Sequence, residues 1–116
     1  MKKTLIVMAG MVSLVVFQNC SSGKKASKSK VAVVSFEKDV LPIMQASCTP
    51  CHFPPDGKKA ALNTYDAVKM HISDVIARVK VPVTDPKFMP FKSKKPALTT
   101  EQIGLLEEWQ KQNMPN

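Results

Sequence analysis

Two cysteines and a histidine stand close together near the middle of the chain, in the run Cys48-Thr49-Pro50-Cys51-His52. Two thiols separated by two residues can reach the two vinyl groups of one porphyrin and form two thioether bonds. The histidine that follows would then lie under the porphyrin iron, where one imidazole nitrogen can ligate the metal. The spacing therefore predicts covalent attachment of one haem c through Cys48 and Cys51, with His52 as an axial iron ligand.

The same side chains are compatible with two other kinds of site. Together with His71 they supply four potential zinc ligands, but the adjacent Cys51 and His52 are an awkward pair for one tetrahedral ion. A thioredoxin-like redox pair also has the C-x-x-C spacing, but it follows a strand in a βαβ unit, and this sequence shows no βαβ pattern. Haem is the favoured interpretation, and structural zinc and thiol redox chemistry remain the alternatives.

The residues that precede the motif support the haem interpretation. They have the spacing Phe-x-x-x-Val-x-Pro-Ile, and from about Ser35 to the C-terminus the sequence resembles the monohaem class I cytochromes c, especially small bacterial ones. The resemblance implies an all-α fold in which three principal helices and long loops surround one covalently bound haem. The residues that carry this spacing are Phe36, Val40, Pro42 and Ile43.

The resemblance also implies a second axial ligand. In the family, a methionine followed by a proline in the loop after the second helix binds the iron opposite the histidine, and Met89 is the matching residue. The chain has seven methionines, so position rather than residue type singles out Met89, whose ordinary role would be to fill the core. In the family a loop carbonyl also accepts a hydrogen bond from the ligating histidine, and Pro54 or Pro55 could supply it for His52.

Local signals define the first two helices. Ser35 is the expected N-cap of the first helix, which should kink at Pro42 because proline lacks an N–H and crowds the preceding turn. Asn63 or Thr64 should cap the second helix, whose apolar residues recur at helical spacing. His71 lies within that second helix and is interpreted as a surface or core histidine rather than a ligand.

The third helix has the clearest signals in the sequence. Thr99 to Gln102 match the capping-box pattern, and apolar residues follow at helical intervals. Trp109 is the expected core anchor of this helix. In the family the last helix crosses the first, which makes Gly104 a candidate for the point of closest approach.

The first 34 residues predict export and a membrane tether. Residues 1–19 have the features of a signal peptide, with two early lysines and an apolar run that is shorter than the roughly 20 residues a membrane-spanning helix needs. Cys20 follows as the lipidated cysteine of a bacterial lipoprotein would, although the residues before it lack the usual small side chains, and ordinary cleavage nearby is the alternative. Residues 20–34 are then a lipid-anchored Ser/Lys-rich tether, and residues 35–116 form the cytochrome c domain.

The formal net charge of +8 comes mostly from the N-terminal part of the chain. Six lysines lie within the first 30 residues, which leaves 11 basic and nine acidic residues from Val31 onward. Nucleic-acid binding is not favoured, because the lysines are not interleaved with aromatic residues and no recognition motif is present. Lys92, Lys94 and Lys95 are close in sequence to Met89 and form a candidate docking site for an acidic redox partner.

These observations together predict a single-electron carrier on the periplasmic side of a bacterial membrane. If His52 and Met89 fill both axial positions, the iron has no free site for a substrate, so an enzyme is not expected. The alternative is a five-coordinate haem enzyme or a gas or peroxide sensor, in which Met89 does not bind. A domain of this size usually needs a staple in addition to its core, and the attached haem is expected to provide it.

Overall fold

A computed structural model describes residues 31–116, and this part of the chain is all-α, with no strand among the described residues. The predicted signal peptide, Cys20 and most of the tether lie outside that range. No helix within residues 31–116 is long and apolar enough to cross a membrane. The elements are a π-helical turn Phe36–Val40, helix α1 Leu41–Ser47, helix α2 Tyr65–Lys80, a 3-10 turn Phe91–Ser93 and helix α3 Thr100–Lys111.

The start of the first helical segment is capped as the sequence predicts. The side-chain oxygen of Ser35 accepts a hydrogen bond from the Lys38 N–H at 3.2 Å. In return, the main-chain N–H of Ser35 donates to the Asp39 carboxylate at 2.7 Å. These reciprocal bonds satisfy N–H groups that have no partner within the helix.

The irregularity expected at Pro42 takes the form of the π-helical turn directly before α1. Pro42 cannot donate a main-chain hydrogen bond, and its ring crowds the turn before it. The N–H of Leu41 bonds to the carbonyl of Phe36, five residues back, so the wider turn precedes the proline. Helix α1 then ends at Ser47, with the N–H of its C-cap Cys48 donating to the Met44 carbonyl at 2.8 Å.

Helix α2 is the longest element, and it buries one apolar stripe. Its N-cap is Thr64, whose hydroxyl accepts from the Ala67 N–H at 3.4 Å, which confirms one of the two predicted caps. Helical periodicity places every third or fourth residue on the same face, and that face is turned towards the core. The buried residues of the stripe are Val68, Ile72, Ile76 and Val79.

Helix α3 has the complete capping box that the sequence predicts. The Thr99 hydroxyl accepts from the Gln102 N–H at 3.2 Å, and the Gln102 side chain accepts from the Thr99 N–H at 2.9 Å. The prediction for Gly104 is wrong, because Gly104 is exposed and a Cβ built there would meet no atom within 4 Å. Helix α3 instead packs against α2 and the π-helical turn through its apolar face.

Three aromatic rings join the helices at the centre of this packing. Trp109 is fully buried, with its ring centroid 5.9 Å from that of Phe36 and 6.1 Å from that of Tyr65. Phe36 and Tyr65 meet edge to face at 5.6 Å, an arrangement that aromatic quadrupoles favour. Trp109 is therefore the core anchor that the sequence predicts, since it contacts the π-helical turn and the start of α2 at once.

The C-terminal end of α3 fixes the entry of the chain into the domain. The Gln112 side chain accepts a hydrogen bond from the Val34 N–H at 2.9 Å and donates to the Ala32 carbonyl at 3.1 Å. Val34 is only 6% exposed and belongs to the core. The packed part of the chain thus begins before Ser35, within the last residues assigned to the tether.

Candidate functional site

The C-x-x-C-H motif continues directly from the end of α1. Cys48 is the C-cap of that helix, and its carbonyl accepts a hydrogen bond from the His52 N–H at 3.0 Å. The Thr49 hydroxyl donates to the Gln45 carbonyl at 2.8 Å and so holds the motif to the helix. Both motif thiols are free, with Cys48 half-buried and Cys51 exposed.

The environment of Cys48 does not favour thiol redox chemistry. Burial raises the pKa of the Cys48 thiol to about 11, because the low-dielectric surroundings disfavour the charged thiolate. A thiolate is the reactive form in thiol–disulfide exchange, and reactive C-x-x-C pairs have a lowered pKa instead. This observation counts against the thioredoxin-like alternative.

The imidazole of His52 is oriented by a main-chain carbonyl. Its Nδ1 lies 2.7 Å from the carbonyl oxygen of Ala60. A carbonyl oxygen can only accept, so Nδ1 carries the proton and the lone pair of the neutral ring is on Nε2. The expected loop carbonyl is therefore present, but it belongs to Ala60 and not to Pro54 or Pro55, because the loop folds back on the motif over eight residues.

The return of that loop depends on a glycine. The Gly57 N–H donates to the Phe53 carbonyl at 2.9 Å, and the Lys59 N–H then donates to the Cys51 carbonyl at 3.2 Å. A Cβ at Gly57 would overlap the carbonyl oxygens of both Pro50 and Cys51. Only a residue without a side chain allows the loop to pass this close to the motif.

One cavity of about 600 Å³ brings the four predicted haem residues together. Cys48, Cys51 and His52 line it from the motif, and Met89 lines it from the loop after α2. Its volume lies within the range of roughly 300–1,000 Å³ that is usual for small-molecule and cofactor sites. His52 and Met89, which are 37 positions apart in the sequence, thus line the same cavity.

Met89 is held in this wall by its own main chain and its neighbours. Its N–H donates to the carbonyl of Arg78, in the last turn of α2, at 3.1 Å. The adjacent Phe88 and Pro90 are buried, whereas Phe91 is 49% exposed and lines the cavity. The loop is therefore anchored on both sides of Met89.

Helix α2 contributes a second set of residues to the cavity, which the sequence interpretation missed. His71, interpreted from the sequence as a surface or core histidine, is among them and is partly buried. These residues recur at helical spacing, and Val79 among them also belongs to the buried stripe. The sequence signal for the polar members of this set is their helical spacing next to the apolar face of α2. The whole set is His71, Asp74, Val75, Arg78 and Val79.

The charged residues that line the cavity are mostly cationic. Lys94 and Lys95 are two of them, which places part of the predicted lysine cluster at the cavity. Lys92 is not among the lining residues and lies over the Phe91 ring, with its Nζ 5.3 Å from the centroid. Lys59 and Arg78 complete the cationic residues, and Asp74 is the one acidic residue that the described part of the chain adds to this wall.

The zinc alternative lacks a set of ligands. Within residues 31–116, no group of three or more His, Cys, Asp or Glu side chains is arranged so that it could hold a metal ion. His71 lies across the cavity on α2 and does not complete a tetrahedral set with Cys48, Cys51 and His52. A site with one histidine and one methionine, as in His/Met haem ligation, does not require such a group.

No family model, curated protein or solved structure matches this chain.

Proposed function

We propose that the protein is a single-electron carrier of the cytochrome c type that binds one haem c covalently. The observation that carries this proposal is the shared cavity of Cys48, Cys51, His52 and Met89. Two thiols, an imidazole and a thioether are the groups that c-type haem attachment and His/Met axial ligation require. The all-α arrangement of the described residues is compatible with a cytochrome c-like fold.

The residues of the cavity fit the group that they would hold. The wall is largely apolar, which suits a porphyrin plane, and its cationic residues suit the carboxylates at the porphyrin edge. Cys48 and Cys51 would form the thioethers. His52 Nε2 and Met89 Sδ would hold the haem iron.

Each of these residues has a defined task in electron transfer. The haem, when bound, supplies an iron that takes up and releases one electron. His52, held by its hydrogen bond to Ala60, presents Nε2 in one fixed orientation and gains basicity from that bond. Met89 is a softer donor that favours the reduced iron, and the apolar wall around it limits access of water, so both raise the reduction potential. With both axial positions taken by the protein, we propose no enzymatic activity.

The proposal includes the location of the protein. Covalent haem attachment in bacteria takes place outside the cytoplasmic membrane, and residues 1–19 have the features of an export signal. Lipidation of Cys20 would then anchor the domain on the periplasmic side through the Ser/Lys-rich tether. Cys20→Ser should release the protein from membranes into the soluble periplasmic fraction, and its retention in the membrane pellet would contradict lipid anchoring.

We further propose that the partners are redox proteins with an acidic docking face. Lys94 and Lys95 line the cavity, and Lys92 lies over the ring of Phe91, which also lines it, so three lysines lie at or next to the cavity wall. The positive field of these lysines would steer an acidic partner and raise the rate of encounter.

One experiment tests the central proposal directly. The exported wild-type protein should have the mass of the chain plus one haem, absorb in the Soret region and keep its haem through acid–acetone extraction. Cys51→Ala should have at most one thioether and retain haem poorly, whereas Cys20→Ser should keep the full haem increment. An exported wild-type protein without the added mass would refute haem attachment.

A further inference from the structure

Residues 31–34, the entry segment, lead the chain into the domain with two valines exposed. Val31 is 66% exposed and Val33 is 72% exposed, and they are two of the five large hydrophobic side chains that residues 31–116 leave exposed. The next residue, Val34, is only 6% exposed and belongs to the core. The entry segment therefore turns one apolar side chain inward and two outward.

The side chain of Gln112, at the end of α3, holds the entry segment in place. Its oxygen accepts from the Val34 N–H at 2.9 Å, and its nitrogen donates to the Ala32 carbonyl at 3.1 Å. One amide thus binds the main chain on both sides of Val33. The same nitrogen donates to the Glu108 carboxylate at 3.0 Å, which ties the amide back to α3. These hydrogen bonds fix the place at which the exposed valines leave the domain.

The sequence just before the entry segment is strongly basic. Four lysines lie between Cys20 and Val31, and the first acidic residue of the chain is Glu37. Lysines next to exposed apolar side chains are typical of segments that bind anionic membrane surfaces, because the charges attract the head groups and the apolar groups insert between them. The lysines are Lys24, Lys25, Lys28 and Lys30.

The entry segment is separate from the cavity wall. Of the described residues that line the cavity, none belongs to the entry segment or to α3. The entry segment packs instead against the C-terminal end of α3 through Gln112. A membrane surface that contacts Val31 and Val33 therefore need not cover the cavity.

We propose that residues 24–33 form a second membrane contact, in which the lysines bind anionic phospholipid head groups and Val31 and Val33 insert between them. This inference extends the proposed location of the protein and does not depend on haem. Ten residues separate Cys20 from Val31, so a lipid on Cys20 would keep the valines within about 35 Å of the membrane. The contact is then effectively intramolecular, and weak attraction is sufficient to populate it.

Vesicle flotation tests this contact without the lipid anchor. The Cys20→Ser holoprotein is exported behind a cleavable leader in place of residues 1–19, and is mixed at low ionic strength with phosphatidylcholine vesicles that contain or lack phosphatidylglycerol. It should float with the anionic vesicles and not with the neutral ones. Binding should be lost near 1 M salt, where the Debye length is about 3 Å. Binding that salt reverses agrees with the release of Cys20→Ser expected on cell fractionation.

Substitutions separate the two parts of the contact. Glutamine in place of the four lysines should weaken binding about fivefold for each charge removed. Serine at both positions 31 and 33 should weaken it by about three- to tenfold, because less apolar area leaves water. Val83→Ser is the matched control, since Val83 is 63% exposed but follows α2, and it should bind as tightly as the parent protein.

The orientation of the bound domain is measured by the access of a small reductant to the haem. Dithionite should reduce the vesicle-bound protein about as fast as the free protein, because the entry segment is not part of the cavity wall. Reduction that is much slower on vesicles would overturn the proposed orientation.

The remaining outcomes distinguish this inference from the proposals beside it. Absence of flotation, equal flotation with neutral and anionic vesicles, or an equal effect of Val83→Ser and the double valine substitution would overturn the membrane contact. A sample that lacks the mass of one haem refutes the proposed function and leaves the contact intact. Retention of the native-leader Cys20→Ser protein in a salt-washed membrane pellet contradicts lipid anchoring alone.

Discussion

The imidazole Nδ1 of His52 donates a hydrogen bond to the carbonyl oxygen of Ala60 at 2.7 Å. The acceptor lies eight residues beyond the histidine, at the end of a loop that returns to the motif through Gly57. This bond fixes the protonated nitrogen and leaves Nε2 as the donor for a metal. A main-chain acceptor cannot be removed by substitution, so the bond is best tested through the loop that positions it.

Gly57→Ala should disturb the His52–Ala60 hydrogen bond. The added Cβ would overlap the carbonyl oxygens of Pro50 and Cys51, so the loop must shift away from the motif. Weakening the bond lowers the basicity of the imidazole and its preference for ferric iron, so the reduction potential should rise. The variant should also unfold more easily, by about 1–3 kcal/mol, as strained core substitutions do. Potentiometry and urea unfolding of the holoprotein measure the two effects.

Gly104→Ala is the matched control for that substitution. Gly104 lies inside α3, is exposed, and a Cβ there would meet nothing within 4 Å. Alanine is favoured over glycine within a helix by about 0.8–1 kcal/mol, so this variant should be slightly more stable than wild type. Equal effects of the two substitutions would show that Gly57 has no special role.

Met89→Ala should remove the sixth ligand and open a site for exogenous ligands. The wild-type ferric protein should show the far-red charge-transfer band of a methionine–iron bond, and the variant should lose it and bind carbon monoxide readily when reduced. Met89→His should lose the same band and have a lower potential, because imidazole favours ferric iron more than a thioether does. Absorption spectra and redox titration measure these changes.

Two further variants check the assignment of Met89. Met70 is 78% exposed, so Met70→Leu should keep the far-red band. His71 lines the cavity from α2, and its imidazole nitrogen could also ligate iron. His71→Ala should likewise keep the band. If Met89→Ala keeps the band and Met70→Leu loses it, the sixth ligand is Met70. If the wild type lacks the band and His71→Ala changes its spectrum, the sixth ligand is His71.

Replacing both Lys94 and Lys95 with glutamine should slow electron transfer to an acidic partner. Both residues line the cavity, and their charges contribute to the electrostatic field there. At low ionic strength the rate should fall by about two- to tenfold, with no change in the spectrum. The difference should vanish near 1 M salt, where the Debye length is about 3 Å. Stopped-flow kinetics measure the rate, and the double substitution of Lys38 and Lys111, which are outside the cavity wall, should have little effect.

Trp109→Ala should destabilise the holoprotein by about 3–5 kcal/mol, as large-to-small changes of buried aromatic residues do. The indole is fully buried, contacts the rings of Phe36 and Tyr65, and donates from Nε1 to the Pro115 carbonyl at 2.7 Å. Trp109→Phe keeps a ring but loses the donor, and should be less destabilising. Urea unfolding measures both, and an unchanged midpoint in Trp109→Ala would show that α3 is not anchored through this residue.

The sequence by itself determined the features that depend on neighbours along the chain. The N-caps Ser35 and Thr99 are predicted correctly, and Thr64 is one of the two predicted caps of α2, because a cap is formed by a side chain and an N–H two or three residues away. The irregularity before Pro42 follows from the missing N–H of proline itself. The C-x-x-C-H spacing likewise predicts haem attachment without reference to the rest of the fold.

The tertiary structure decided which distant groups meet. Ala60 rather than Pro54 or Pro55 accepts from His52, because the acceptor is selected by the path of the returning loop and not by residue type. Gly104 is exposed, since the close packing of α3 occurs around Trp109 instead. The choice of acceptor for His52 and the exposure of Gly104 depend on how loops and helices pack together. Helical periodicity shows which residues share a face, but it does not show which element that face contacts.

The cavity shows the same division between local and long-range information. The motif and the Met-Pro pair are recognisable in the sequence. Arg78, in contrast, lines the cavity because the Met89 loop packs against the end of α2, and only the tertiary structure shows that packing. A residue on a helix can face solvent, core or cavity with the same local sequence around it. Which of these it faces is decided by the free energy of packing the whole domain, because burial is a property of elements in contact and not of the chain alone.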